Sequence, residues 1–212
     1  MRGGLWDNNP GLVQLLGLCP LLAVSTTLVN GLALGLASLA VMTATSTSSS
    51  LLRHWLHPDL RLPVLVLLIA SLVTAVDLLF RGWLFELHLE LGLFVPLIVT
   101  NCVILARAES YAIRVAPAAA LADGFAQGLG FAAVLGGLGA LRELLGHGSL
   151  LQGADRLFGP VAAGWQLQLL PGEHGLLLAS LPPGAFFGLA LLVALRQRLA
   201  QRRRAAAAVP ET

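Results

Sequence analysis

The 212-residue chain has no lysine, one tyrosine and two cysteines, and only 11% of its residues are charged. Each shortage excludes a class. In soluble domains about a quarter of residues are charged, so a chain that is 57% hydrophobic with so few charges is not one of them. Its mean hydropathy of +0.82 is that of an integral membrane protein in contact with lipid. Two cysteines do not make a disulfide scaffold, which needs several bridges in a short secreted chain. All 13 basic residues are arginine, which reads as the compositional bias of a GC-rich genome rather than as function. The formal charge of +2 says little by itself, and no nucleic-acid partner is expected.

A helix needs about 20 apolar residues to cross a bilayer. Stretches of roughly that kind occupy residues 11–30, 32–52, 62–80, 91–108, 124–145 and 182–195. Residues 1–10, with Trp6, suit a short interfacial segment. A signal peptide with Arg2 as its basic region is disfavoured, because no small-x-small cleavage site follows the apolar run.

Two of the six stretches carry a proline where a helix interior should have none. Pro20 lies midway in the first, so that helix is expected to kink or break around residues 18–20. The polar side chains after it, Ser25, Thr26, Thr27 and Asn30, can satisfy freed backbone groups. The fourth is interrupted by Pro96 and by Thr100, Asn101 and Cys102. The hydroxyl-rich run from Thr43 to Ser50 and the glycines from Gly124 to Gly139 suit close helix packing. Asp77, about one turn from the end of the third stretch, can snorkel or pair with Arg81. His54 and His57, flanked by Arg53 and Arg61 with Trp55 between, read as interfacial anchoring rather than a metal site. Residues 81–90 read as a polar connection, 107–123 as a polar turn with a short Ala-rich stretch, and 146–175 as an extramembrane loop.

Six crossings put both termini on one side, and arginines mark the inside. With the termini inside, the inner segments hold ten arginines and the outer ones three, Arg81, Arg142 and Arg156. Leaving out the five C-terminal arginines keeps the same direction, five against three. The halves share a Pro-Leu-aliphatic core at Pro20 and Pro96, and in each the broken helix comes first and carries the lone cysteine. Halves of three crossings run in opposite directions. The expected fold is therefore all-α integral membrane: six transmembrane helices as two inverted three-helix repeats, about 11–81 and 91–196, the first helix of each discontinuous. The outer loop 146–175 and a basic cytoplasmic tail 196–212 complete a single membrane domain.

At a rise of 1.5 Å per residue, Cys19 and Cys102 would lie near mid-depth in their stretches. Three readings stand for them: buried small hydrophobes, a disulfide, or ligands of a metal centre. Broken helices favour the last, since unwound backbone supplies amide donors that stabilise thiolate and sulfide charge. An iron-sulfur cluster normally takes four cysteines, so two thiols are half a site.

The run from Asn9 to Val24 around Gly17-Leu18-Cys19-Pro20, the run from Phe94 to Cys102 followed by Arg107-Ala108-Glu109, and Leu181-Pro182-Pro183-Gly184-Ala185-Phe186 resemble the E subunit of the Rnf (Rsx) electron transport complex. They are also similar to the D subunit of the sodium-translocating NADH:quinone reductase, Nqr. The resemblance extends over residues 5–195, includes Asp123-Gly124 and Leu141-Arg142-Glu143, and rests on cysteine motifs specific to that family. It implies a bacterial inner-membrane subunit with cytoplasmic termini, paired with a homologous A-type subunit of opposite topology and assembled with B, C, D and G subunits in membrane lipid. It further implies an intramembrane [2Fe-2S] centre relaying electrons across the bilayer, with Cys19 and Cys102 as this chain's two iron ligands and no independent catalytic activity. Pro20, Pro96 and Asn101 would shape the broken helices. Thr43-Ala44-Thr45 lacks the glycine of the family's covalent flavin motif, so no covalent FMN is expected. Two other classes remain: a secondary transporter, with Asp77, Ser25, Thr26, Asn30 and Asn101 as contacts, or a purely structural subunit.

Overall fold

The computed structural model describes residues 14–53, 55, 57–83, 85–150, 167–168 and 181–207. The proposed interfacial segment 1–10, His54, most of the loop 146–175 and the end of the tail lie outside the described residues. Among the described residues seven helices follow one another: α1 (Leu18–Val24), α2 (Leu28–Leu52), α3 (Arg61–Trp83), α4 (Phe85–Leu91), α5 (Cys102–Ser110), α6 (Pro117–His147) and α7 (Pro182–Ala207). A two-residue antiparallel pair, β1 (Ser149–Leu150) with β2 (Leu167–Gln168), links two points of the long loop.

Among the described residues three helical stretches are long and apolar enough to cross a membrane: α2, α3 with the 3-10 turn ahead of it, and α6. The first and fourth apolar stretches are not continuous helices. Helix α1 has seven residues and α5 nine, so at 1.5 Å per residue they span roughly 10 and 13 Å, well short of a bilayer core. Helix α7 is long, with 26 residues, but its second half carries Arg196, Arg198 and Arg202. The tail expected to begin at 196 is thus helical as far as Ala207. Six continuous crossings are replaced by long helices and short ones: α1 is short, α2 and α3 long, α4 and α5 short, α6 and α7 long.

Several expected boundaries shift for local reasons. The first helix breaks at residues 25–27, not at 18–20. Gly17, in the left-handed conformation at φ 72°, starts α1, so Pro20 falls in the first turn, where its missing N–H and fixed φ cost nothing. Pro96 lies in a separate 3-10 turn, Val95–Ile98, before α5 begins. Pro20 follows its cysteine and Pro96 precedes its own, so the shared Pro-Leu core falls at different places in the two segments, while each cysteine lies in the first turn of a short helix. Residues 85–91 are helical, and Pro117 opens α6 well before the expected start at 124.

The centre of the molecule is the packing of α2 on α6. Gly31 faces the Leu135 carbonyl, Gly35 the Cα of Ala132, Gly128 the Cα of Leu39, and Gly124 lies against Ser46 and Met42. As the numbers rise on one helix they fall on the other, so the pair is antiparallel. A Cβ on any of these glycines would come within 2.7 to 2.9 Å of a neighbouring atom, so the close approach needs them. The hydroxyl run serves the same contact: Ser46, Ser49 and Ser50 are buried, and Thr43, Thr47 and Ser49 donate to carbonyls of their own helix. Helix α3, by contrast, buries only Leu65, Ile69 and Val73.

Candidate functional site

Both cysteines are free thiols with exposed side chains. Cys19 is the second residue of α1 and Cys102 the first residue of α5. Each therefore sits in a first helical turn just after a stretch of non-helical backbone. Counting depth along a continuous span does not apply to either, because the preceding residues are not helical.

The two helix starts touch. A Cβ at Gly17 would lie 2.9 Å from Val103 Cγ2, 3.0 Å from Asn101 Oδ1 and 2.9 Å from the Phe131 ring. Gly17 is two residues before Cys19, and Asn101 and Val103 flank Cys102, so the chain brings its two cysteine segments together. Asn101 is 2% exposed, and its Oδ1 accepts the Val103 N–H at 3.1 Å, capping α5. Its Nδ2 is buried with no hydrogen-bond partner. Cys102 Sγ lies 3.9 Å from the Thr100 carbonyl. Pro20, in the first turn of α1, is buried.

Arg142, expected from charge counting on the outer side, is instead 2% exposed inside the protein. Its Nη1 donates to Ser25 Oγ at 3.0 Å and to the Leu22 carbonyl at 3.4 Å, and its Nη2 to the Leu181 carbonyl at 3.3 Å. Ser25 Oγ donates in turn to the Leu21 carbonyl. The neighbouring Glu143, fully buried, accepts the Leu28 N–H on Oε2 at 2.8 Å. A cation thus meets the C-terminal end of α1 and an anion the N-terminal end of α2, the signs that helix dipoles favour. Thr27 completes the junction, its Oγ1 accepting the Asn30 N–H at 3.2 Å. Sequence reasoning missed this pair, although two adjacent ionisable residues in an apolar stretch are themselves a signal.

Two ion-pair clusters involve the short helices α4 and α5. Arg107 on α5 grips Asp123 on α6 with two contacts of 2.6 Å, and its guanidinium stacks 4.5 Å from the centre of the Tyr111 ring. Asp77 pairs with Arg81 at 2.9 Å, as the sequence suggested, and also faces His88 Nδ1 at 3.3 Å. The His57 side of the connecting loop opens a 3-10 turn, and Trp55 is exposed beside it. Among the described residues no three His, Cys, Asp or Glu side chains gather at one point.

A family model described as "Rnf-Nqr subunit, membrane protein" matches residues 1–193. Similar proteins, each named as the E subunit of an ion-translocating oxidoreductase complex, include one from Thioalkalivibrio sulfidiphilus, 56% identical, the match covering 98% of this chain and 92% of the relative. Others come from Pseudomonas paraeruginosa, 53% identical over 97% and 88%, and from Vibrio vulnificus, 51% identical over 92% and 85%. A chain with its cysteines at two touching helix starts, matched along nearly all its length, belongs to the Rnf-Nqr family of membrane subunits.

Proposed function

We propose that this chain is the E-type subunit of an ion-translocating oxidoreductase complex and relays electrons through an intramembrane [2Fe-2S] centre. Cys19 and Cys102 would supply two of the four cysteines such a cluster takes. A homologous A-type subunit of opposite topology would supply the others, with B, C, D and G subunits completing the complex. The observation that carries this reading is that the two helix starts bearing the free, exposed thiols adjoin, Gly17 lying against Asn101 and Val103.

The residues fit such a group. Both thiols lie in the first turns of their helices. Both are exposed on the isolated chain, which leaves room for two ligands from elsewhere. The Asn101 Nδ2, buried without a partner, is a spare donor beside Cys102. The group, when bound, supplies one-electron transfer. The chain's own part is to hold two thiols at a fixed separation, keep the helix starts rigid through the Asn101 cap, and exclude water with the surrounding apolar core.

In this reading the six segments form two inverted halves, each a short cysteine-bearing helix followed by two long ones. The N and C termini lie on the cytoplasmic face of a bacterial inner membrane, where Arg196, Arg198 and Arg202 belong. The transporter alternative finds less support. Ser25 and Asn101 spend their oxygens on internal bonds, and Asp77 is held by Arg81.

The test is iron content and a reducible EPR signal in the purified complex. Both should be lost in Cys19→Ser and in Cys102→Ser while the complex still assembles. Retained iron and electron flow in both variants would sink the proposal.

A further inference from the structure

We infer that Arg142 and Glu143 are positioning residues that set the reduction potential of the centre held by Cys19 and Cys102, a view that rests on the function proposed above. The pair lies at the break behind the Cys19 helix rather than at the thiols themselves. Arg142 is bonded to Leu22 and Ser25, and Glu143 to Leu28. Leu22 is three residues from Cys19, about 4.5 Å of helical rise. Both side chains are almost wholly buried, and there a charge acts over distance far more strongly than in water.

Two isolated charges in a membrane interior are costly. Adjacent and opposite, each bonded to a helix end that its sign suits, they are retained at lower cost. Their placement is not symmetric about Cys19. The cation touches α1, which carries the thiol, whereas the anion touches α2, further along the chain. Reduction adds one negative charge to a centre held by thiolates, and a nearby cation stabilises it. Arg142 therefore raises the potential, and Glu143 lowers it by a smaller amount.

The same contacts have a mechanical side. Arg142 ties the end of α1 to Ser25 and to the Leu181 carbonyl just before α7. With α1 anchored at this end and by Gly17 at the other, Cys19 keeps one position relative to Cys102.

Redox titration of the EPR signal in the intact complex reads both effects. Arg142→Gln should shift the midpoint downward, Glu143→Gln upward, and Arg142→Lys, which keeps the charge, should stay near the unsubstituted value. Gln at 143 retains an oxygen for the Leu28 N–H while removing the charge. Where Arg142→Gln fails to assemble, the upward shift in Glu143→Gln set against Arg142→Lys carries the test. In iron-depleted complex, Cys19 should alkylate faster in Arg142→Gln than in the unsubstituted chain, since its helix is released. Unmoved midpoints, or shifts of one sign in both neutral variants, overturn the inference while the metal centre stands. An unsubstituted complex with no signal dependent on Cys19 and Cys102 overturns the metal centre and this inference together.

Discussion

Arg53 and Arg142 make reciprocal contacts at the two ends of the α2 and α6 pair. Arg53, following α2, donates to the Val115 carbonyl just ahead of α6 at 3.1 Å. Arg142, near the end of α6, reaches the Leu22 carbonyl near the end of α1, just ahead of α2. Each central helix thus uses an arginine at its C-terminal end to hold the turn that leads into the other. Ser50 reinforces the first contact, its Oγ donating to the same Val115 carbonyl at 2.6 Å. Arg53→Ala should therefore loosen the α5 to α6 turn, seen as faster hydrogen exchange at residues 112–116 with residues 25–28 unchanged.

Gly17 is where the two cysteine segments meet, and a side chain there faces two penalties. The left-handed conformation costs an ordinary residue about 1–2 kcal/mol, and a Cβ would overlap Phe131, Val103 and Asn101, adding about 1–3 kcal/mol of overpacking. Gly17→Ala should lower the thermal stability of the purified complex and, with it, the iron content proposed above. A variant with unchanged melting and full iron would show that the contact is not needed.

Asn101 caps α5 through its Oδ1. Asn101→Ala should cost about 0.5–2 kcal/mol, while Asn101→Asp keeps the acceptor and should retain most of that stability. Thermal unfolding of the two variants side by side checks this. Equal losses in both would place the effect on Nδ2 rather than on the cap.

The Arg107 and Asp123 pair joins α5 to α6 with both side chains about one-fifth exposed. Partial solvation puts its worth between an exposed pair, about 0.2–1 kcal/mol, and a buried one, where losing a partner costs about 3–5 kcal/mol. Asp123→Asn should thus cost about 1–3 kcal/mol, between those two limits. The exchange Arg107→Asp with Asp123→Arg should recover part of it, measured by a double-mutant cycle on melting temperature.

The α2 to α6 contact has no slack at its glycines. Gly35→Val and Gly128→Val should each prevent the helices from closing, at about 1–3 kcal/mol or more of overpacking, and reduce membrane-inserted protein in cells. Gly137, whose Cβ would meet nothing within 4 Å, should tolerate alanine and serves as the control.

Much of this is legible in the residues themselves. A chain with 11% charge and long apolar stretches has to be a membrane protein, because the cost of burying backbone and charge in lipid leaves few alternatives. The two cysteine segments announce themselves as broken helices, and the Gly-rich stretch as a close contact. The family follows from the cysteine motifs. What composition does not place is where each helix starts. Pro20 reads as an interruption because proline disrupts a helix interior, yet in the first turn it is harmless, and that turn is set by Gly17 meeting Asn101 and Val103 of the second cysteine segment.

The same distinction separates Arg142 from the arginines of the tail. Charge counting treats every arginine near the end of an apolar stretch as facing water. Only the folded chain puts the Leu22 carbonyl, Ser25 and the Leu28 amide within reach of residues 142 and 143. Side-chain chemistry and local backbone rules are enough to require lipid as the solvent and two interrupted helices, each with a thiol. That the two cysteine-bearing helix starts adjoin, and that a buried arginine and glutamate hold the turn at 25–27, emerges only on folding. Those features depend on contacts between residues far apart in the chain, which no local pattern encodes.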